Sequence, residues 1–204
     1  MGRSVTDVAN RALQLVGAAS IMNLTDNSVE ARECTRAYDA CRLAELRGHR
    51  WNFAKTRAVL APDVAQPAWG FLYQFSLPVD CVRVLLPRDA LLDWQVEGRK
   101  ILTNDATSPC GAGVVNASTQ ASPALYIQYI ADITDPTQWD PMFAECVSAR
   151  MASAICEKLT QSNQKKQDAK ETYKENLDAA KACNAVENTP VDAPTDSWLL
   201  ARTR

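Results

Sequence analysis

A single histidine among 204 residues narrows the available chemistry at once. A Cys or Ser nucleophile needs a base within hydrogen-bond reach, and only His49 could serve as one. It stands beside Arg50 at a helix end, where a neighbouring cation depresses its basicity. Seven cysteines, Cys34, Cys41, Cys81, Cys110, Cys146, Cys156 and Cys183, are scattered with no CxxC pair. That odd set suits neither a complete disulfide framework nor a zinc site, and reduced, mostly buried thiols are expected. Asp132 with Asp135, or Asp93 with Glu97, could be nominated for glycoside hydrolysis, which needs two carboxyls roughly 5 to 10 Å apart. Any chain with 24 acidic residues offers such pairs, and Asp135-Pro136 reads more simply as a turn. No phosphate-loop, GxGxxG, GxSxG or HExxH pattern occurs. Nothing here demands an enzyme, and neither metal nor cofactor is expected.

Aromatic residues interleaved with basic ones can bind glycans or stack on bases, and Arg50-Trp51-Asn52-Phe53-Ala54-Lys55-Thr56-Arg57 has that look. The favoured alternative is that Trp51 and Phe53 plug the gap between a helical layer and a β unit, with the bases on the solvent side. Trp198 differs, because Pro190 and Pro194 keep its segment extended and away from any local core. Trp198, Leu199 and Leu200, followed by Arg202 and Arg204, are therefore expected to bind a partner or a neighbouring subunit. Burying the three apolar side chains would contribute several kcal/mol at ~25 cal/mol per Å².

These residues must be held by a fold that 204 residues can build without staples, since a chain of this length buries roughly 70% of its unfolded surface. A net charge of -2 argues against a free-standing nucleic-acid binder. Locally the balance is +3 over residues 1–57, -5 over 58–140 and zero over 141–204, so the acid sits in the middle. The N-terminal stretch, broken by Arg3, Asp7, Asn10 and Arg11, lacks the apolar run of a secretory signal, and no window reaches the ~18 apolar residues of a membrane span. A soluble protein made in the cytosol is expected.

Ser4 can cap a helix carrying Val5, Val8, Ala12, Leu15 and Val16, which Gly17 ends. Asn27 and Glu30 resemble a capping box opening a second helix of about five turns, with Ala31, Cys34, Tyr38 and Cys41 on one face and Gly48 at its end. Arg42, Arg47, His49 and Arg50 gather towards that end and complement the helix dipole. The period then changes: Trp69, Phe71, Tyr73 and Phe75 alternate as a strand, Val82–Leu86 is a second, and a hairpin turns around Glu97–Arg99. Residues 104–123 read as a long loop and Leu125–Ile130 as a strand, giving an antiparallel unit of four or five strands. Asp140-Pro141 starts a helix with Phe143, Val147, Met151 and Ala154 in a stripe. After a lapse at Gln161-Ser162-Asn163, a charged helix with Ala169, Tyr173, Leu177 and Ala180 on one face runs from Gln164 to about Val186. The expected fold is α+β: a helical bundle from residues 1–57 and 136–186, a β-rich insertion over 58–135 and an extended tail over 187–204.

Several blocks, in this order, resemble the tail adaptor of short-tailed bacteriophages, the tail tubular protein A family. They are Ala12-Leu13-Gln14-Leu15-Val16-Gly17, Leu24-Thr25-Asp26, Glu30-Ala31-Arg32, Arg36-Ala37-Tyr38-Asp39, Trp51-Asn52-Phe53-Ala54, Leu77-Pro78-Val79-Asp80-Cys81, Glu97-Gly98-Arg99 with Ile101-Leu102-Thr103, Tyr129-Ile130-Ala131-Asp132 and Trp139-Asp140-Pro141-Met142-Phe143. The resemblance covers about residues 8 to 185; the Trp-Asn-Phe-Ala and Leu-Pro-x-Asp blocks are its most specific pair, and the 104–123 loop and the tail depart from it. It implies a structural virion protein, assembled in the host cytoplasm, that forms a ring, usually of twelve copies, between the portal and a tail nozzle of the tail tubular protein B type. DNA would be passing cargo during ejection, no catalytic residue is implied, and the acidic middle could help a channel repel phosphates. The other class left open is a tail-associated hydrolase acting on bacterial surface polysaccharide.

Overall fold

The first helix, α1 (Val5–Val16), starts where the Ser4 hydroxyl accepts the Asp7 amide and the Asp7 carboxylate accepts the Ser4 amide at 2.8 Å. Gly17 ends it at φ 77°, a left-handed conformation that glycine adopts without a Cβ penalty. The computed structural model describes residues 3–87, 93–104 and 124–187. Helix α2 (Val29–Gly48) is capped by Ser28, whose hydroxyl accepts from the Ala31 amide at 3.0 Å. The expected Asn27–Glu30 box is therefore displaced by one residue. Asp26 closes the preceding turn by accepting the Met22 and Asn23 amides, and the hydroxyl at 28 meets the free amide of Ala31.

Asp140 caps α3 (Pro141–Thr160) as expected, accepting from the Met142 and Phe143 amides. Gln161, at φ 52°, breaks the helix, and Ser162 opens α4 (Asn163–Val186). Helices α1, α2 and α4 all pack on α3, so the apolar surface of α3 is broader than a stripe. Phe143, Val147 and Met151 are buried, but the next buried position on that line is Ile155; Ala154 faces solvent. Ala144, Cys146, Ala149, Ala152 and Cys156 fill the contacts on either side.

The strands form two three-stranded antiparallel sheets rather than one unit of four or five. In the first, β6 (Leu125–Ala131) lies between β1 (Lys55–Leu60) and β3 (Cys81–Pro87). In the second, β5 (Lys100–Thr103) lies between β2 (Tyr73–Ser76) and β4 (Trp94–Glu97), with Gly98 at φ 58° in the two-residue turn that joins β4 to β5. The alternation from Trp69 to Phe75 becomes strand only in its second half. Gly70 turns the chain at φ 87°, and Trp69 is left 87% exposed. Phe75, Ile101, Leu125, Ile127 and Tyr129 form a second core within the β unit, while Ile130 and Leu85 face the helices. Lys55 pairs with Ile130, which brings the two ends of the β unit together against the bundle. With 52% helix and 19% strand, the fold is α+β.

Arg42 does not serve the helix dipole from the surface. It is 4% exposed and reaches across to ion-pair with Asp132, just past β6, as well as with Asp39 at 3.2 Å. An interior guanidinium needs such partners because desolvation is costly without them. Most of the anticipated tail, residues 188–204, and most of the anticipated loop, residues 105–123, lie outside the described residues. Replacing Arg42 with Ala strands a carboxylate at this seam and lowers unfolding stability by about 3 kcal/mol. Urea unfolding measures this, and a paired Arg42→Met/Asp132→Leu variant should recover most of the loss.

Candidate functional site

Trp198, Leu199, Leu200, Arg202 and Arg204, the residues expected to dock, lie outside the described residues. The segment that leads to them is fixed at its root. Asn184, in the last turns of α4, accepts the Asn52 backbone amide on its side-chain oxygen and the Asn52 side-chain amide on its carbonyl, both at 2.8 Å. The Asn52 side chain also donates to Glu187 at 3.2 Å. The chain therefore leaves α4 from the junction of α2 and β1.

Trp51 occupies that junction as the anticipated plug. Its indole is buried, its Nε1 donates to the Glu45 carbonyl at 2.8 Å, and its ring meets Phe143 edge-on at 5.1 Å. Phe53 packs against Phe143 from the other side, while Arg50 and Arg57 point to solvent. Aromatic–basic alternation thus separates an inner face from an outer one, with Trp51 buried and Phe53 half-buried against Phe143.

His49 lies edge-on to Trp51 at 4.9 Å. The Asn184 side-chain nitrogen sits 3.1 Å from His49 Nε2 and also donates to the Arg50 carbonyl, so Nε2 accepts and the imidazole is neutral. Burial, reinforced by Lys181, Lys55, Arg50 and Arg83, holds its pKa below the ordinary 6.5. Its partner is an amide that positions the end of α4, and no described hydroxyl or thiol is hydrogen-bonded to it.

The other candidates are equally occupied. Burial pushes the Cys34 thiol up to about 11 and Cys146 up to about 12, and also raises Cys41 and Cys81, so these sulfurs resist forming the thiolate that nucleophilic chemistry needs. Cys156 is buried too, Cys183 is exposed, and Cys110 lies outside the described residues. Asp132 is bound to Arg42. Asp135 accepts the Thr137 amide at 2.9 Å, and that bond lowers its pKa, opposite to the direction a general acid requires. Asp93 and Glu97 are four residues apart along an extended edge, roughly 13 Å by strand rise, too far to act on one glycosidic bond.

One constellation was not anticipated. Glu45, only 2% exposed, takes Arg150 at 2.7 Å and the Tyr173 hydroxyl at 2.5 Å, tying α2, α3 and α4 together. Burial, with the Glu45 carboxylate, pushes the Tyr173 hydroxyl up to about 12. The signal lay in the spacing: Ala31, Cys34, Tyr38 and Cys41 mark the inner face of α2, and the next step of four lands on Glu45. An acid on an inner face requires a buried cation or donor. Among the described residues no group of three potential ligands could hold a metal ion, and no helix is long and apolar enough to cross a membrane.

The unfolded chain binds the His49 proton more readily than the folded one, so His49 costs no stability above pH 6.5 and an increasing amount below it. As the chain's single histidine, it gives one unambiguous imidazole resonance in an NMR titration, with a midpoint below 6.5. A midpoint above 6.5 would contradict the neutral, amide-bonded ring.

No protein-family model matches the chain, and no curated protein matches it.

Proposed function

We propose that this chain is a head-to-tail adaptor of a short-tailed bacteriophage, a structural virion protein that assembles as a ring, of twelve copies by the resemblance, between portal and tail nozzle. The observation that carries this is where the resembling blocks fall. Trp51-Asn52-Phe53-Ala54 is the junction of α2, β1 and α4, and its Trp, Asn and Phe are engaged there with Glu45, Asn184 and Phe143. In the Leu77-Pro78-Val79-Asp80-Cys81 block, the Leu77 amide donates to the Arg99 carbonyl, while Asp80 accepts the Asp132 amide on its carbonyl and the Tyr129 hydroxyl on its carboxylate. Trp139-Asp140-Pro141-Met142-Phe143 begins α3 and joins the same aromatic cluster. The resembling residues are thus spent on shape: the first block joins β1 to α2 and α4, the second ties strands of the β unit to one another, and the third starts α3, as suits a family whose members share a shape rather than a reaction.

The surface also suits an assembly protein. Val64, Trp69, Leu72 and Val79 are exposed on the β unit, side chains that an isolated globule gains little by displaying. The segment beyond Glu187 adds Trp198, Leu199 and Leu200 as apolar anchors, with Arg202 and Arg204 to pair with carboxylates at the rim of the portal or of a neighbouring copy. DNA would pass through the assembly as cargo.

Mixing the purified chain with portal rings and weighing the product tests this proposal. The full chain should add to the portal as a closed set of subunits, whereas a chain cut after Glu187 should keep its melting temperature and fail to attach. Release of sugars from host surface polysaccharide by the unassembled chain, without attachment to portals, would favour the hydrolase instead.

A further inference from the structure

Seven described cations, Arg3, Arg11, Arg36, Arg42, Lys100, Arg150 and Lys166, pair with carboxylates. Arg47, Arg50, Arg83, Arg99 and Lys181 do not, although they gather around one end of α2. Arg47 donates to the Val82 carbonyl at 2.8 Å, and Arg83 returns a bond to the Arg47 carbonyl at 3.1 Å. Arg99 donates to the Pro78 and Val79 carbonyls, and lines one surface cleft with Arg47. On the other flank, Lys181, Arg50 and Arg83 all act on His49. The result is a cationic band contributed by α2, the link to β1, β3, the β4–β5 turn and α4, with Asp80 and Asp132 lying in the cleft that Arg47 and Arg99 share.

A carbonyl partner fixes a guanidinium without cancelling its charge and leaves most of its five donors free. Arg47 and Arg83 are each held in this way with their charge left for an anion. Of the carboxylates that border the band, Asp132 is neutralised by Arg42, whereas Asp80, which accepts from the Tyr129 hydroxyl, and Glu187, which accepts from Asn52, keep their charge and offset part of the band's five cations.

We propose that this band is a contact surface for the phosphodiester backbone of double-stranded nucleic acid, bound without sequence preference. Cations spread over several elements, three of them guanidiniums held by carbonyls, suit the repeated charges of a phosphate backbone. A carboxylate-bearing protein surface is the weaker fit, because the core of such an interface needs a desolvated apolar anchor. The band's own aromatic, Trp51, is buried beneath it, and its exposed apolar neighbours Leu43 and Val79 stand only on the Arg99 flank. Gly48, with no atom within 4 Å of where a Cβ would stand, leaves the middle open to a close approach. The net charge of the whole chain makes the contact weak and labile to salt, which suits a polymer that must slide past. The inference rests on the adaptor proposal only for where such a polymer would be met; the binding itself belongs to a single subunit.

Fluorescence anisotropy of a labelled 30-base-pair duplex, titrated with the full chain between 25 and 200 mM NaCl, reads the contact directly. Binding should appear at the lowest salt, with log K falling against log salt at a slope of magnitude about 3 to 5. Arg50→Gln, whose side chain makes no intramolecular bond among the described residues, should reduce that slope by about one, and Arg50→Gln/Lys181→Gln by about two. Arg32→Gln/Arg36→Gln, roughly 20 Å away along α2, should leave it unchanged. Absence of binding at 25 mM NaCl, equal slopes in all variants whose circular dichroism matches the parent, or displacement of the duplex by polyglutamate as readily as by unlabelled duplex of equal charge would each overturn the proposal. Portal attachment needs no DNA, so this result and that of the portal experiment fail separately.

Discussion

Burying the indole of Trp51 removes its N–H from water, and the Glu45 carbonyl six residues earlier must accept it. That bond folds the chain leaving α2 back over the helix end and aims it into β1. The same ring is packed by His49, Phe53 and Phe143, and Phe143 continues through Trp139 to Tyr38. A row of aromatic contacts therefore runs from the junction along the α2–α3 interface. The β unit enters at Lys55 and returns at Ile130, and its position on the bundle is set by how this row is filled.

Around that spine, charge gives direction to packing that apolar contacts alone would leave loose. Arg42–Asp132 fixes α2 to the end of β6, and Glu45 with Arg150 and Tyr173 fixes α4 to the other two helices. Buried ion pairs add little net stability against an apolar alternative, but a misplaced one is strongly penalised, so they select one arrangement. α4 depends on them most: Ala169 and Ala180 are its only buried residues, and Asn184, Lys165 and Lys166 supply further polar attachments.

Where structure was set by neighbours in sequence, the sequence was legible. Ser4 and Gly17, Asp140-Pro141 and the Gly98 hairpin stand where local backbone physics puts them, and the Trp51 plug follows from amphipathic alternation. Strand β1 was not legible because Lys55–Leu60 has just one buried residue, Leu60, and is defined by pairing with β6 about seventy residues away. The alternation before Tyr73 misled for the converse reason: its period was right, but no strand among the described residues pairs with it. Arg42 read as a helix-end charge and Glu45 carried no expectation, because the partners that bury them come from the end of β6, from α3 and from α4, far away in sequence. The docking residues around Trp198 rest on composition and spacing alone.

On the adaptor proposal, this fastened α+β body, with its chemistry spent on holding shape, serves as one unit of a ring. A side-chain-resolution density map of the tail vertex of assembled virions tests it most directly. The expected map shows a ring of this fold between portal and nozzle, with the DNA channel on its axis and density for Trp198 seated on the portal or an adjacent copy. A map that leaves this chain out of the vertex, or seats it at the tail tip as separate enzyme domains, would contradict it.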